Sequence, residues 1–195
     1  MSDMLEIVKE KLDIPVIGVI LPGASSAIQK TKTNKIGVIA TQASIRSDEY
    51  HKTIARKSSA VEVYSLACPK FVSIVESNEM ESEIARKVVS ESLVPLIGKV
   101  DTLILGCTHY PLLRSLIQET MGKEVRLIDS GAEAVRDISV LLNYFSINGQ
   151  ERQPLEHRFY TTAGVNSFRE IAEKWLNIGQ LQIEHTEIEN FNKEK

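Results

Sequence analysis

The 195-residue chain predicts an α/β protein in which helices cover a parallel sheet, and three observations carry that expectation. Short β-branched runs alternate with longer stretches of helical period, the order that parallel strands joined by crossover helices require. Most of the short runs are apolar at successive residues, as strands buried on both faces must be. Hydrophobic residues make up 43% of the chain, enough to form a real core at this length.

Six segments carry the strand signal: PVIGVI (15–20), KIGVIA (35–40), VEVYSL (61–66), DTLILG (101–106), EVRLID (124–129) and RFYTTA (158–163). Between them the spacing predicts helices over 44–57, 82–97, 110–121, 132–144 and 167–176. The second of these illustrates the signal. Glu83, Ile84, Lys87, Val88, Glu91 and Val94 place charged and apolar residues on separate sides at the i, i+3, i+4 spacing, the pattern of a surface helix lying on a sheet. NGQERQPLE (148–156) is polar and reads as a loop, and the tail HTEIENFNKEK (185–195) reads as a frayed end. No internal repeat, low-complexity tract or Pro/Gly/Ser linker stands out.

Composition removes several function classes. The net charge is −3 and basic residues form no long block, which argues against a nucleic-acid groove as the main activity. No run of eighteen apolar residues is present, and MSDMLEIVKEKL lacks the apolar region of a signal peptide, so a cytoplasmic protein without a membrane anchor is expected. Cys68 and Cys107 are too few for a disulfide framework and lack metal-ligand spacing. His51, His157 and His185 are scattered through polar segments, so no metal site is expected.

The stretch LILGCTHYPLL (103–113) places Cys107 where a strand stops and a helix is expected to begin. In open α/β sheets ligands bind beyond the carboxyl ends of the strands. A helix start offers unpaired N–H groups and a positive dipole end that favour an anion, and the same field favours a thiolate. His109, two residues on, can exchange a proton with the thiol if it reaches the sulfur. On the residues alone two readings stand: a reactive thiolate beside a carboxylate pocket, or a small buried hydrophobe followed by a histidine cap. Cys68 stands at a strand end ahead of a proline that starts a helix, and reads as core.

Four motifs carry a family resemblance. GCTHYPLL (106–113), LIDSGAE (127–133), ACPKFVSIVES (67–77) and IPVIGVILPGA (14–24) closely resemble the glutamate racemases, and the similarity runs in order from Leu5 to about Trp175. The resemblance implies cofactor-independent enzymes that interconvert L- and D-glutamate for peptidoglycan. It implies two flavodoxin-like or Rossmann-like domains facing across a cleft, each contributing a cysteine, and a homodimer that needs neither membrane nor nucleic acid. In these terms residues 21–128 form the second domain, carrying Cys107, and 1–20 with 129–195 the remainder of the first.

The resemblance also assigns roles. Racemisation removes the α-proton from one face of the carbon and returns one on the other, so two groups are wanted, one thiolate and one thiol. Cys107 matches the base for L-glutamate, and His109 the histidine that assists it. Glu76 matches an acidic residue near that histidine. Thr108 and Thr41 match substrate-binding residues, and Ser44 keeps the hydroxyl where the family more often has threonine. Cys68 lies in the same domain as Cys107 and does not match the partner thiol, and Asp129-Ser130 matches a structural turn. The family's opening DSGVGG loop and the CNT motif bearing the other cysteine have no counterpart among these residues, so the chain is expected to join the pattern within the first domain and to be impaired alone. Two rivals remain at this point: a silent fragment or binding module, and a single-cysteine hydrolase or transferase built on Cys107 and His109.

Overall fold

Four strands, β1 (Lys35–Ala40), β2 (Glu62–Ala67), β3 (Thr102–Leu105) and β4 (Arg126–Asp129), form an all-parallel sheet in the order β2-β1-β3-β4 in a computed structural model that describes residues 2–147 and 157–187. The register places Ile39 beside Leu66 on one side and Leu105 on the other, and Leu105 beside Asp129. β3 is buried at all four residues and β1 at five of six, which explains why their sequences are continuously apolar rather than alternating.

Helices cover both faces of this sheet. On one side lie α2 (Ile20–Lys30), α4 (Glu49–Lys57) and α8 (Ser130–Tyr144), with Ala24, Ala27, Ile36, Val38, Ile54, Ile104 and Ile128 in the core. On the other lie α5 (Lys70–Glu76), α6 (Glu83–Leu93) and α7 (Arg114–Met121), which bury Phe71, Val89, Leu93, Leu103, Leu105 and Ile117. α1 (Ser2–Lys11) precedes them and α3 (Gln42–Ser47) follows β1. Gly23 sets the approach of α2 to α8: a Cβ there would stand 2.2 Å from Oγ of Ser130 and 2.9 Å from its Cβ.

A second compact unit, described by itself, contains β5 (Arg158–Thr161), α9 (Val165–Leu176) and β6 (Gln182–His185). The two strands pair in parallel with Arg158 beside Gln182, and Ala172, Leu181 and Ile183 form its small core with Phe159 and Phe168. Arg169 donates to the carbonyl of Leu181 at 2.6 Å. Residues 148–156 and the tail beyond 187, read from sequence as a loop and a frayed end, lie outside the described residues.

Three expectations need correction. PVIGVI is not a strand: residues 15–18 have no regular structure and Ile20 already begins α2. β-propensity is realised only against a neighbouring strand, and here Gly18 instead runs against the side chain of Leu5. The helix expected over 44–57 is two helices broken at Asp48, which takes a left-handed conformation (φ 58°) that aspartate tolerates better than most residues. The helix expected from Tyr110 opens with a 3₁₀ turn (Tyr110–Leu113) containing Pro111, and becomes α-helical only at Arg114.

At the amino-terminal end of the sheet Asp101 ties separate segments together. Its carboxylate accepts hydrogen bonds from Oγ1 of Thr31 at 2.6 Å and from the backbone N–H groups of Lys32 and Thr33 at 2.6 and 2.7 Å. Burial alone would raise this carboxyl, but the donors, Thr31 first, outweigh it and hold it at about 2. Asp101→Ala is therefore expected to cost about 2 kcal/mol in urea denaturation. Because the folded value lies below the unfolded one of about 3.9, the ionised carboxylate's contribution is present above about pH 4 and is lost as pH falls towards 2. Stability of the parent and of Asp101→Ala should converge across that window.

Candidate active site

The strand order places a topological switch point between β1 and β3, since the chain leaves β1 towards β2 on one side and returns to β3 on the other. The carboxyl ends of these two strands lie side by side, held by the bond from Gly106 N to Ile39 O at 2.8 Å. Gly106 is required there by space: an added Cβ would meet the Ile39 carbonyl and Cε2 of Tyr50, each at 3.0 Å, and Cβ of Ala40 at 3.2 Å. The turn that follows presents Cys107, half-buried, Thr108, exposed, and His109, half-buried.

Nδ1 of His109 lies 3.8 Å from Sγ of Cys107, within sulfur hydrogen-bonding reach, and 3.4 Å from Oγ1 of Thr108. The imidazole makes no side-chain cap to the turn that begins at Tyr110, so the bond typical of a capping histidine is not made. The main chain is held instead by Tyr110 N donating to Cys107 O at 3.2 Å. Tyr110 is fully buried, packs edge-on against Phe71 at 5.2 Å and donates its hydroxyl to the Cys68 carbonyl at 2.8 Å. Burial pushes that hydroxyl's ionisation up, which keeps it a donor.

At the end of β1, Thr41 caps α3: its Oγ1 accepts from Ser44 N at 3.3 Å and stands 3.1 Å from Oγ of Ser44. The structure thus brings Thr41 and Ser44 together after β1, and Cys107, Thr108 and His109 together after β3. Glu76 is the exposed last residue of α5, the helix that follows β2. Cys68 follows β2 and is only 1% exposed, and burial pushes its thiol up to about 12. It is an inert core thiol under ordinary conditions.

Tyr50 is the neighbour that sequence reading does not single out. It projects from α4 into the core, buried, and its hydroxyl shares a hydrogen bond of 2.9 Å with Oγ of Ser130. Its own ionisation is raised by burial first, with Cys107 and Asp129 adding to the effect. Asp129, for its part, caps α8 through Gly131 N and Ala132 N at 2.9 and 3.1 Å. Among the described residues no three His, Cys, Asp or Glu side chains gather as metal ligands, and no helix is long and apolar enough to cross a membrane.

Comparison with known proteins bears on this geometry. Residues 2–138 match the family model described as Asp/Glu/Hydantoin racemase. The chain is 90% identical over 191 residues to a glutamate racemase of Lactococcus lactis subsp. cremoris, covering 98% of this chain and 70% of that one. It is 64% identical over 184 residues to the glutamate racemase of Streptococcus gordonii, covering 94% and 69%. Among solved structures, a glutamate racemase isoform from Bacillus anthracis superposes with a TM-score of 0.87 at 41% identity, over 94% of this chain and 69% of that one. A Francisella tularensis glutamate racemase, solved in complex with D-glutamate, superposes with a TM-score of 0.84 at 34% identity, over 95% and 69%. With a parallel α/β fold, a matched family domain and relatives of this identity, the chain belongs to the glutamate racemases, a family of amino-acid isomerases.

Proposed function

We propose that the chain supplies the Cys107 side of a glutamate racemase that works without a cofactor. The observation that carries this is the pairing of Cys107 Sγ with His109 Nδ1 at 3.8 Å beside the switch point. In the forward direction the Cys107 thiolate takes the α-proton of L-glutamate. The resulting carbanion receives a proton on its opposite face from a second thiol, and in reverse the Cys107 thiol returns the proton that completes L-glutamate. His109 assists the proton transfer, Glu76 supports the histidine electrostatically, and Thr108, Thr41 and Ser44 hold the substrate's carboxylates. The product, D-glutamate, would serve cytoplasmic peptidoglycan assembly, with the enzyme acting as a homodimer.

Cys68 does not serve as the second thiol, because a side chain 1% exposed cannot reach a bound α-carbon. Its hydroxyl neighbour Tyr110 further locks that segment into the core. The second thiol is assigned to the family's CNT segment. The test follows glutamate enantiomers by circular dichroism, first with the chain alone and then with a separate polypeptide that carries the DSGVGG loop and ends beyond CNT. The chain alone should give no conversion above background, and the associated pair should racemise. Robust conversion by the chain alone would sink the two-thiol assignment, and an associated, folded pair without activity would sink the reading as a whole.

A further inference from the structure

The amino-terminal end of the four-stranded sheet, opposite the Cys107 turn, carries a cavity of ≈ 320 Å³ whose lining brings together five cations, Lys30, Lys32, Arg114, Lys123 and Arg126, with only two carboxylates, Asp101 and Glu124. These cations come from the end of α2, the loop after it, α7, the turn before β4 and the first residue of β4. The concentration is notable in a chain of net charge −3.

The two carboxylates offset only part of this charge. Both oxygens of Asp101 accept from Thr31, Lys32 N and Thr33 N, which fixes the carboxylate in place, and its negative charge together with that of Glu124 still leaves the five cations in excess. Lys30 is paired with Glu133 at 3.1 Å, and Arg114 is steadied by one bond from Nη2 to the Leu127 carbonyl at 3.3 Å. The side chains of Lys32, Lys123 and Arg126 make no ion pair among the described residues. Gln118 is fixed by donating to the Gly122 and Val125 carbonyls at 2.7 and 3.0 Å, which holds the turn bearing Lys123 against α7.

We propose that this cavity binds a compact oligophosphate, a ligand with two or more linked phosphate groups, free or as the phosphate end of a nucleotide. Several cations on separate elements call for more negative charge, spread over a longer span, than the oxygens of one phosphate supply. Arginine forks and lysine point charges are the usual partners of phosphate oxygens. The size lies at the small end of ligand sites, about 300–1,000 Å³. The lining is charged or polar apart from Val125 and Leu127, and it offers no aromatic side chain on which bases of a nucleic-acid strand would stack. The site is independent of the chemistry at Cys107, so its failure and that of the racemase reading are separable.

Isothermal titration of the full chain tests it, with pyrophosphate, orthophosphate and ADP as probes at low and high salt. Pyrophosphate should bind saturably, about tenfold or more tighter than orthophosphate, and weaken as salt rises. Lys123→Glu and Arg126→Glu should each weaken binding about tenfold or more, because each replaces an attraction by a repulsion. Lys87→Glu on the exposed face of α6 should change nothing. Far-ultraviolet circular dichroism checks that the variants fold, and Lys123 lies in an exposed turn where a charge change is tolerated. ADP binding as tightly as pyrophosphate identifies the nucleotide source, and much weaker ADP binding the free oligophosphate; both support the site. Absence of saturable pyrophosphate binding, equal affinity for orthophosphate, or equal binding by all three variants would overturn it.

Discussion

In the complemented pair, Cys107→Ala is expected to lower racemisation in both directions by about 10³-fold or more, while Cys68→Ala leaves the rate nearly unchanged. The symmetry is the informative part. A group that only held the substrate would shift KM with kcat largely kept, whereas a thiol that is base in one direction and acid in the other removes both rates together. Cys68→Ala should appear instead in stability. Its thiol is buried within the cluster that includes Phe71 and Tyr110, so truncation leaves a small void costing about 1–2 kcal/mol and lowers Tm. The two substitutions therefore separate on different instruments: enantiomer kinetics for the first, thermal melting for the second. Loss of rate in one direction only would contradict the assigned role of Cys107.

The second large effect is chemical and needs no partner. At mildly alkaline pH, iodoacetamide should alkylate Cys107 about 10³-fold faster than Cys68. Burial pushes Cys68 from 9.0 to about 12, which alone makes its thiolate about 10³-fold scarcer, and 1% exposure slows the reagent further. Cys107 sits in a half-buried turn with an imidazole at 3.8 Å. Mass spectrometry of timed digests reads both rates in one sample. His109→Asn should change the labelling rate of Cys107 without affecting that of Cys68, because the imidazole reaches only the former thiol. If Cys68 were alkylated first, the placement of the accessible thiol would be wrong.

The sheet was legible in the sequence where burial is two-sided. KIGVIA coincides with β1 residue for residue, because only a central strand calls for continuous apolar residues. PVIGVI is similarly rich in Val and Ile and is not a strand, since nothing within six residues reveals whether a neighbouring strand exists. The helix that follows it was hidden by Pro22 and Gly23, which look like a break. Pro22 stands in the first turn, where its missing N–H costs nothing, and Gly23 is a contact with α8 more than a hundred residues later in the chain. β6 carries no strand signal in the sequence because it buries only Ile183 in a four-residue strand. The neighbourhood of Cys107, Thr108 and His109 was legible because those residues are consecutive. Tyr50 was not, because its proximity depends on α4 crossing the face of β1 and β3, a fact of packing with no local signature.

The strand order also has a consequence for how the chain acquires its reactive turn during synthesis. β1 and β2 are made early and can pair as soon as both have left the ribosome, but the other edge of β1 is completed only by residues 102–105. Any pairing of β1 with β2 before then would leave Ile36 and Val38, which end fully buried, on a two-stranded ribbon whose β1 edge is open to misassociation. The strand that closes this edge is the one that ends in Gly106 and Cys107. Insertion of β3 thus protects the nascent sheet and positions the thiol in a single step, so a polypeptide arrested before residue 102 would hold the segments after β1 and β2 without the turn they are built to face.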